Sequence, residues 1–125
     1  MKRIINTPNA PAPIGPYSQG VVAGNFLYVS GQIALVPQTG ELIIDNIENE
    51  THRVMKNIEG VLQAAGFAFS DIVKTSIFLS SMDYFVKVNE VYGSYFKNDF
   101  PARETVAVAG LPKNVHVEIS VTAYK

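Results

Sequence analysis

From Val115 to Tyr124 the sequence alternates without a break. Val115, Val117, Ile119 and Val121 share one parity, and His116, Glu118, Ser120 and Thr122 the other. Successive strand residues point to opposite faces, so this is a strand with one dry face and one wet face, and the dry face needs a cover. Two stretches of helical period can supply it. Ile47, Val54, Ile58, Val61, Leu62 and Ala65 form the first stripe, and Phe85, Val88, Val91, Tyr92, Tyr95 and Phe96 the second. Gly66 is placed to stop the first helix, and Asp45 with Glu48 resembles a capping box at its start. Ser80 or Ser81 can cap the second helix, and Pro101 ends that region.

The remaining strands fall around these helices. Tyr17 to Val22 and Phe26 to Ile33 read as a hairpin closed by Ala23-Gly24-Asn25, with Gly31 hinting at a bulge or a close approach. Ile72 to Leu79 and Thr105 to Ala109 read as further strands, and a turn lies at Pro37 to Gly40. Ahead of them, Pro8, Pro11, Pro13 and Pro16 crowd residues 6 to 16 and forbid both helix and central strand there, leaving a stiff, extended lead-in. Right-handed strand–helix–strand crossovers put both helices on one sheet face. The expectation is a single α+β domain spanning residues 1–125, a two-layer sandwich with a mixed sheet. With Ile72 and Phe78 opposite Val73, Ile77 and Leu79, one strand is apolar on both sides. An uncovered apolar face of this kind predicts a subunit contact, the alternative being that the lead-in folds over part of it.

Composition narrows the function. A length of 125 residues with 47% hydrophobic and 17% charged residues suits one folded domain. Ten Lys and Arg against eleven Asp and Glu give no electrostatic basis for binding a polyanion. The absence of Cys excludes disulfides, thiolate metal sites and a cysteine nucleophile. The N-terminus lacks the apolar run of a signal peptide and no stretch approaches a membrane span, so a soluble, cytoplasmic protein is expected. Phosphate-loop, dinucleotide, nucleophile-elbow and zinc-helix motifs are all missing. Glu48 and His52 stand at i, i+4, but two ligands make a poor metal site, so no metal is expected.

A few polar residues stand out. Arg103 is delivered by Phe100-Pro101-Ala102 into an otherwise apolar strand. Its planar fork suits a small carboxylate, although a salt bridge with strand neighbours of Glu104 or with Glu118 would explain it equally. Glu118 on the wet face of the last strand could take a proton from water or steady a cation, or simply be solvated. Tyr17 and Ser30 place hydroxyls beside Gly15-Pro16 and Gly31, where backbone can approach a ligand, and Asn89 interrupts the second helical stripe.

Several runs carry a resemblance. Ala12-Pro13-Ile14-Gly15-Pro16-Tyr17-Ser18-Gln19, Ser30-Gly31-Gln32-Ile33, Asp71-Ile72-Val73-Lys74-Thr75, Val88-Asn89-Glu90-Val91-Tyr92, Phe100-Pro101-Ala102-Arg103, Leu111-Pro112-Lys113 and Val117-Glu118-Ile119 occur in order along essentially the whole chain. Together they resemble the Rid/YjgF family of enamine and imine deaminases. The resemblance implies a chorismate-mutase-like fold, a homotrimer whose sheets form a central barrel, and sites in clefts between subunits. It implies hydrolysis of 2-aminoacrylate and 2-aminocrotonate, through their 2-imino acids, to 2-keto acids and ammonia without a cofactor. On this footing Arg103 holds the substrate carboxylate, Glu118 positions water, and Tyr17, Ser30, Gly31, Asn89 and Thr105 line the pocket. Two residues depart from the common pattern: Thr105 stands where many members have cysteine, and Glu104 where they have serine. Strand alternation should turn Glu104 away from Arg103. The competing expectation is a non-catalytic carboxylate-binding protein, or a translation inhibitor with ribonuclease activity; the scattered positive charges speak against the latter.

Overall fold

The structure, a computed structural model, describes residues 1–125 as one α+β unit. Six strands form a single sheet: β1 (Lys2–Ile5), β2 (Gly20–Ala23), β3 (Phe26–Gln32), β4 (Ile72–Leu79), β5 (Ala102–Ala107) and β6 (Val117–Tyr124). Helices α1 (Ile47–Ala65) and α2 (Phe85–Gly93) pack together on one face. The strand order is β1-β2-β3-β6-β4-β5, antiparallel throughout except for the parallel pair β4–β5. The alternating last strand is therefore central, with Val117, Ile119, Val121 and Ala123 buried under the helices. No helix is long and apolar enough to cross a membrane.

The helices obey their stripes. Val54, Met55, Ile58, Val61 and Leu62 of α1 are completely buried. Gly66 ends the helix in the left-handed conformation, φ 81°, its N–H returning to Gln63 and Leu62 carbonyls. The start differs from the expected box. Asn46 is the cap, accepting from the Asn49 N–H at 2.8 Å, while Asp45 accepts from the Asn49 side-chain amide and Glu48 pairs with Lys87 at 3.6 Å. Ser81 accepts from the Asp83 N–H in the 3-10 turn that leads into α2. That helix stops at Gly93, short of the apolar pattern, yet Tyr95 and Phe96 still pack on the core.

Other boundaries shift for physical reasons. β1 lies outside every stretch that the sequence pattern marks as strand; it is an edge strand paired with β2 and too short to show a period. β2 begins at Gly20, later than Tyr17; Gln19 just before it turns its side chain to the lead-in while its carbonyl still accepts from the Ser30 N–H at 3.0 Å. β5 begins earlier than Thr105 and includes Arg103, since its pairing with β4 starts at Ala102 opposite Lys74. β6 starts at Val117 because Lys113 and Asn114 both take positive φ, 55° and 57°, and turn the chain first.

The two-sided apolar strand needs correction. A bulge between Ile72 and Lys74 leaves Ile72 buried with Thr75, Ile77 and Leu79 on the helix side. The outer side of β4 is Lys74, Ser76 and Phe78. The uncovered face still carries apolar groups: Val106, paired with Phe78, is exposed, and farther along the sheet Phe26, Tyr28 and Tyr124 form an aromatic patch, each between 39% and 48% exposed, with Phe26 against Tyr124 at 5.0 Å.

The lead-in is neither helix nor strand, and it does not blanket that patch. Its backbone presses on Gly60 of α1, where a Cβ would collide with the Asn9 carbonyl. Gln19, 1% exposed, pins it by accepting from the Thr7 N–H at 2.7 Å and donating to the carbonyls of Thr7, Ala10 and Pro11 at 2.9–3.1 Å. Stripping these buried backbone groups of their partner is costly. Gln19→Ala should lower unfolding free energy by about 3 kcal/mol in urea titrations; a loss below about 1 kcal/mol would show that the lead-in is held by other means.

Candidate active site

The sequence-predicted site residues assemble as two separate groups. Glu118 pairs with Phe78 across β6–β4, whereas Arg103 pairs with Thr75 across β5–β4. Residues 75 and 78 differ by an odd number with no bulge between them, so their side chains leave opposite faces of the sheet. Arg103 lies under α2 and Glu118 on the outer face, and they are not partners.

The Glu118 group is a hollow of about 340 Å³ roofed by the lead-in. Pro11, Ala12, Ile14 and Tyr17 form one wall, Ser30 and Gly31 the floor, and Glu118 and Pro112 the far side. The floor exists because β3 loses register against β6 between Val29 and Gln32. There Gly31 lets the carboxylate in: a Cβ on residue 31 would stand 2.5 Å from Glu118 Oε2. Ser30 donates to the Ser18 carbonyl at 2.6 Å, tying the floor to the lead-in, and the half-exposed Tyr17 accepts from the Ile14 N–H at 3.3 Å. Glu118 has no hydrogen bond or ion pair, and burial pushes its carboxyl above the usual range. A Gly31→Ala substitution should therefore displace Glu118 without touching the core; a drop in turnover of at least about tenfold with an unchanged melting temperature is expected, and an unaffected rate would mean the carboxylate tolerates the shift.

The Arg103 group lies at the other edge of the sheet. Asn89, Tyr92 and Gly93 of α2 meet Phe100, Pro101 and Arg103 around a shallow depression. The guanidinium lies 5.3 Å from the Tyr92 ring and 5.9 Å from the Phe85 ring, and no carboxylate pairs with it. It is a cation held by aromatic faces, with its fork unclaimed. Tyr92 is itself fixed by donating to Thr75 Oγ1 at 2.8 Å; burial pushes its phenol pKa up. The salt bridges considered for Arg103 do not form. Glu104 points to the outer face, bonded to Ser76 and paired with Lys74 at 2.8 Å, contacts that pull its pKa down. Thr105 shares the face of Arg103, and its buried hydroxyl has no partner.

Other polar residues have settled roles. His52 bonds the Tyr95 hydroxyl at 2.8 Å, and no cluster of His, Asp or Glu could hold a metal. One contributor escaped notice: Glu50, wholly buried, which accepts from the start of β6. Its signal was available, since an acid at position 50 falls on the stripe that joins Ile47 to Val54.

The family model described as Endoribonuclease L-PSP matches residues 7–125. The chain belongs to this family, which is the Rid/YjgF family. L-PSP relatives are similar along their whole length. A RutC family protein of Pyrococcus horikoshii is 49% identical over 125 residues, covering 100% of the chain and 99% of that protein. The human 2-iminobutanoate/2-iminopropanoate deaminase is 42% identical over 123 residues, 98% of the chain and 90% of its own length. Among solved L-PSP structures, Escherichia coli TdcF with bound serine superposes with TM-score 0.94 at 38% identity, covering 98% of each chain.

Proposed function

We propose that the protein is a hydrolytic deaminase of small 2-imino acids, working in the cytoplasm as a homotrimer that seats the Arg103 edge of one copy against the Glu118 hollow of the next. The observation that carries this reading is the complementary pair left open by one chain: a guanidinium without an anion and a desolvated carboxylate without a cation, on opposite faces of one sheet. A second copy can bring them together around one ligand, and the exposed Phe26, Tyr28 and Tyr124 offer it apolar area to bury. Relatives named as iminobutanoate/iminopropanoate deaminases support the substrate class.

In this reading Arg103 binds the carboxylate in a bidentate fork, with Asn89 and Thr105 beside it. The imine carbon then faces a water held by Glu118. Ionised Glu118 favours the iminium and takes a proton from the attacking water as the C–O bond forms, giving a carbinolamine. It returns that proton to the nitrogen, the C–N bond breaks, and ammonia leaves as the hydroxyl proton is lost. The products are a 2-keto acid and ammonium, so water is the sole co-reactant. Tyr17, Ser30 and Gly31 bound the space around the reacting carbon.

A second reading, carboxylate binding without turnover, is favoured by the serine bound in TdcF. One experiment separates them. A slow threonine dehydratase is run with semicarbazide trapping the imine, and 2-oxobutanoate release is followed with and without the protein. Outcompeting the trap supports the deaminase; binding of 2-oxobutanoate with no effect on its release supports the binder.

A further inference from the structure

Glu50 is an acid inside the helix layer, 0% exposed, and the proposed chemistry makes no use of it. Its Oε2 accepts from the backbone N–H of His116 at 2.7 Å and of Val117 at 3.1 Å, and Oε1 meets His116 Nδ1 at 2.8 Å. These contacts join α1 to the chain 66 and 67 residues further on. On the β4 side this place is regularly paired, Leu79 with Val117 and Phe78 with Glu118, and the Ser80 N–H donates to the His116 carbonyl at 3.0 Å; on the β3 side it is not. Lys113 and Asn114, both left-handed, have just turned the chain, and β3 pairs with β6 only from Ile119 onward and loses register across from Ser120. The strand that carries Glu118 thus enters the sheet with one regular and one irregular neighbour, and Glu50 claims the N–H of the residue before it and of its first residue.

We infer that Glu50 is a positioning residue for Glu118: its carboxylate grips the backbone two and one residues upstream and so sets where the Glu118 side chain stands over Gly31. This rests on the deaminase reading for its effect on rate, but not for its effect on the carboxyl itself. A carboxylate fits the task because both oxygens accept, one from two amides and the other from an imidazole N–H. A glutamine can imitate it: its oxygen takes the amides while its NH2 donates to the other tautomer of His116. Methionine fills the volume and accepts nothing. Aspartate keeps both acceptors but falls a methylene short.

The test uses the whole protein with Glu50→Met, Glu50→Asp and Glu50→Gln, and with Val54→Ala as a control that removes buried volume from the same helix. Two readouts are taken: the kinetics of imine hydrolysis, and the titration of the Glu118 carboxyl followed by NMR with 13C-labelled glutamate in the ligand-free protein. Glu50→Met and Glu50→Asp should lower kcat at least about tenfold with KM within about twofold, because Arg103 still holds substrate. They should also move the Glu118 titration toward that of a solvated glutamate. Glu50→Gln should restore both, and Val54→Ala should change neither. If Glu50→Met does not fold, Glu50→Asp decides. A Glu118 titration and kcat that follow Val54→Ala would reduce Glu50 to a fold-stabilising residue and overturn the inference. Absence of turnover in the wild type would instead sink the deaminase reading, leaving the titration to judge Glu50 alone.

Discussion

Arg103→Ala and Glu118→Gln, each inactive by itself, should regain about a quarter of wild-type activity when the two proteins are unfolded together and co-assembled in equal amounts. The fraction follows from geometry. If each site takes its arginine from one copy and its glutamate from the next, random mixing gives an intact site whenever the arginine comes from the Glu118→Gln chain and the glutamate from the Arg103→Ala chain. Each choice has an even chance. Alone, Arg103→Ala should lose at least about 100-fold in kcat/KM, because the substrate carboxylate is left without its charge-assisted fork. The assay is keto acid release before and after mixing. Recovery would establish that one chain cannot build the site; its absence, in mixed trimers verified by mass, would place arginine and glutamate of one chain in the same site and contradict the opposed faces of β4.

Replacing Glu118 by Gln should have two effects of opposite benefit. Turnover should fall by about 10² to 10⁴, the range for removing a positioned acid–base group. Stability should rise at neutral pH. Burial raises the folded-state pKa of Glu118 above its unfolded value, so its favourable contribution is complete below the unfolded value and is lost as pH climbs through the folded one. At pH 7 the ionised, half-buried carboxylate therefore weighs against folding, and a neutral amide does not. Melting curves should place Glu118→Gln above wild type at pH 7 and level with it at about pH 3, where the glutamate is protonated in both the folded and the unfolded chain. A variant less stable than wild type at pH 7 would mean that the carboxylate has a partner the ligand-free chain does not show. The wild-type rate should rise with pH over an interval shifted above that of an ordinary glutamate.

Much of this architecture is legible in the amino-acid order, for reasons that differ from element to element. The central strand and α1 announce themselves because their apolar residues keep one period for two or more turns. Arg103 and Glu118 stand out because each interrupts or borders apolar strand sequence with a group that demands a partner. What escapes is set by events of one residue. The bulge at Val73 moves Ile72 to the other face, and no periodicity reveals a bulge before the pairing is known. β1 has four residues and borrows its stability from β2. The separation of Arg103 from Glu118 was readable in principle from parity, but only once β5 was known to be parallel to β4 and in register from Ala102. Asn46 rather than Asp45 caps α1, a difference of one position that the sequence does not decide, because Ser, Asn and Asp compete on near-equal footing for that role.

Arg103 and Glu104 are neighbours of opposite charge on a strand with a free edge. Such a strand has one partner to hold its register, and edge strands are where slippage starts. A slip of β5 by a single residue would drive the Glu104 carboxylate under α2 against Tyr92 and lift the guanidinium out beside Lys74. Both moves set like against like or strip a charge of its solvent. The adjacent pair thereby proofreads its own alignment: the same side chains that define the two faces penalise the one error that would exchange them.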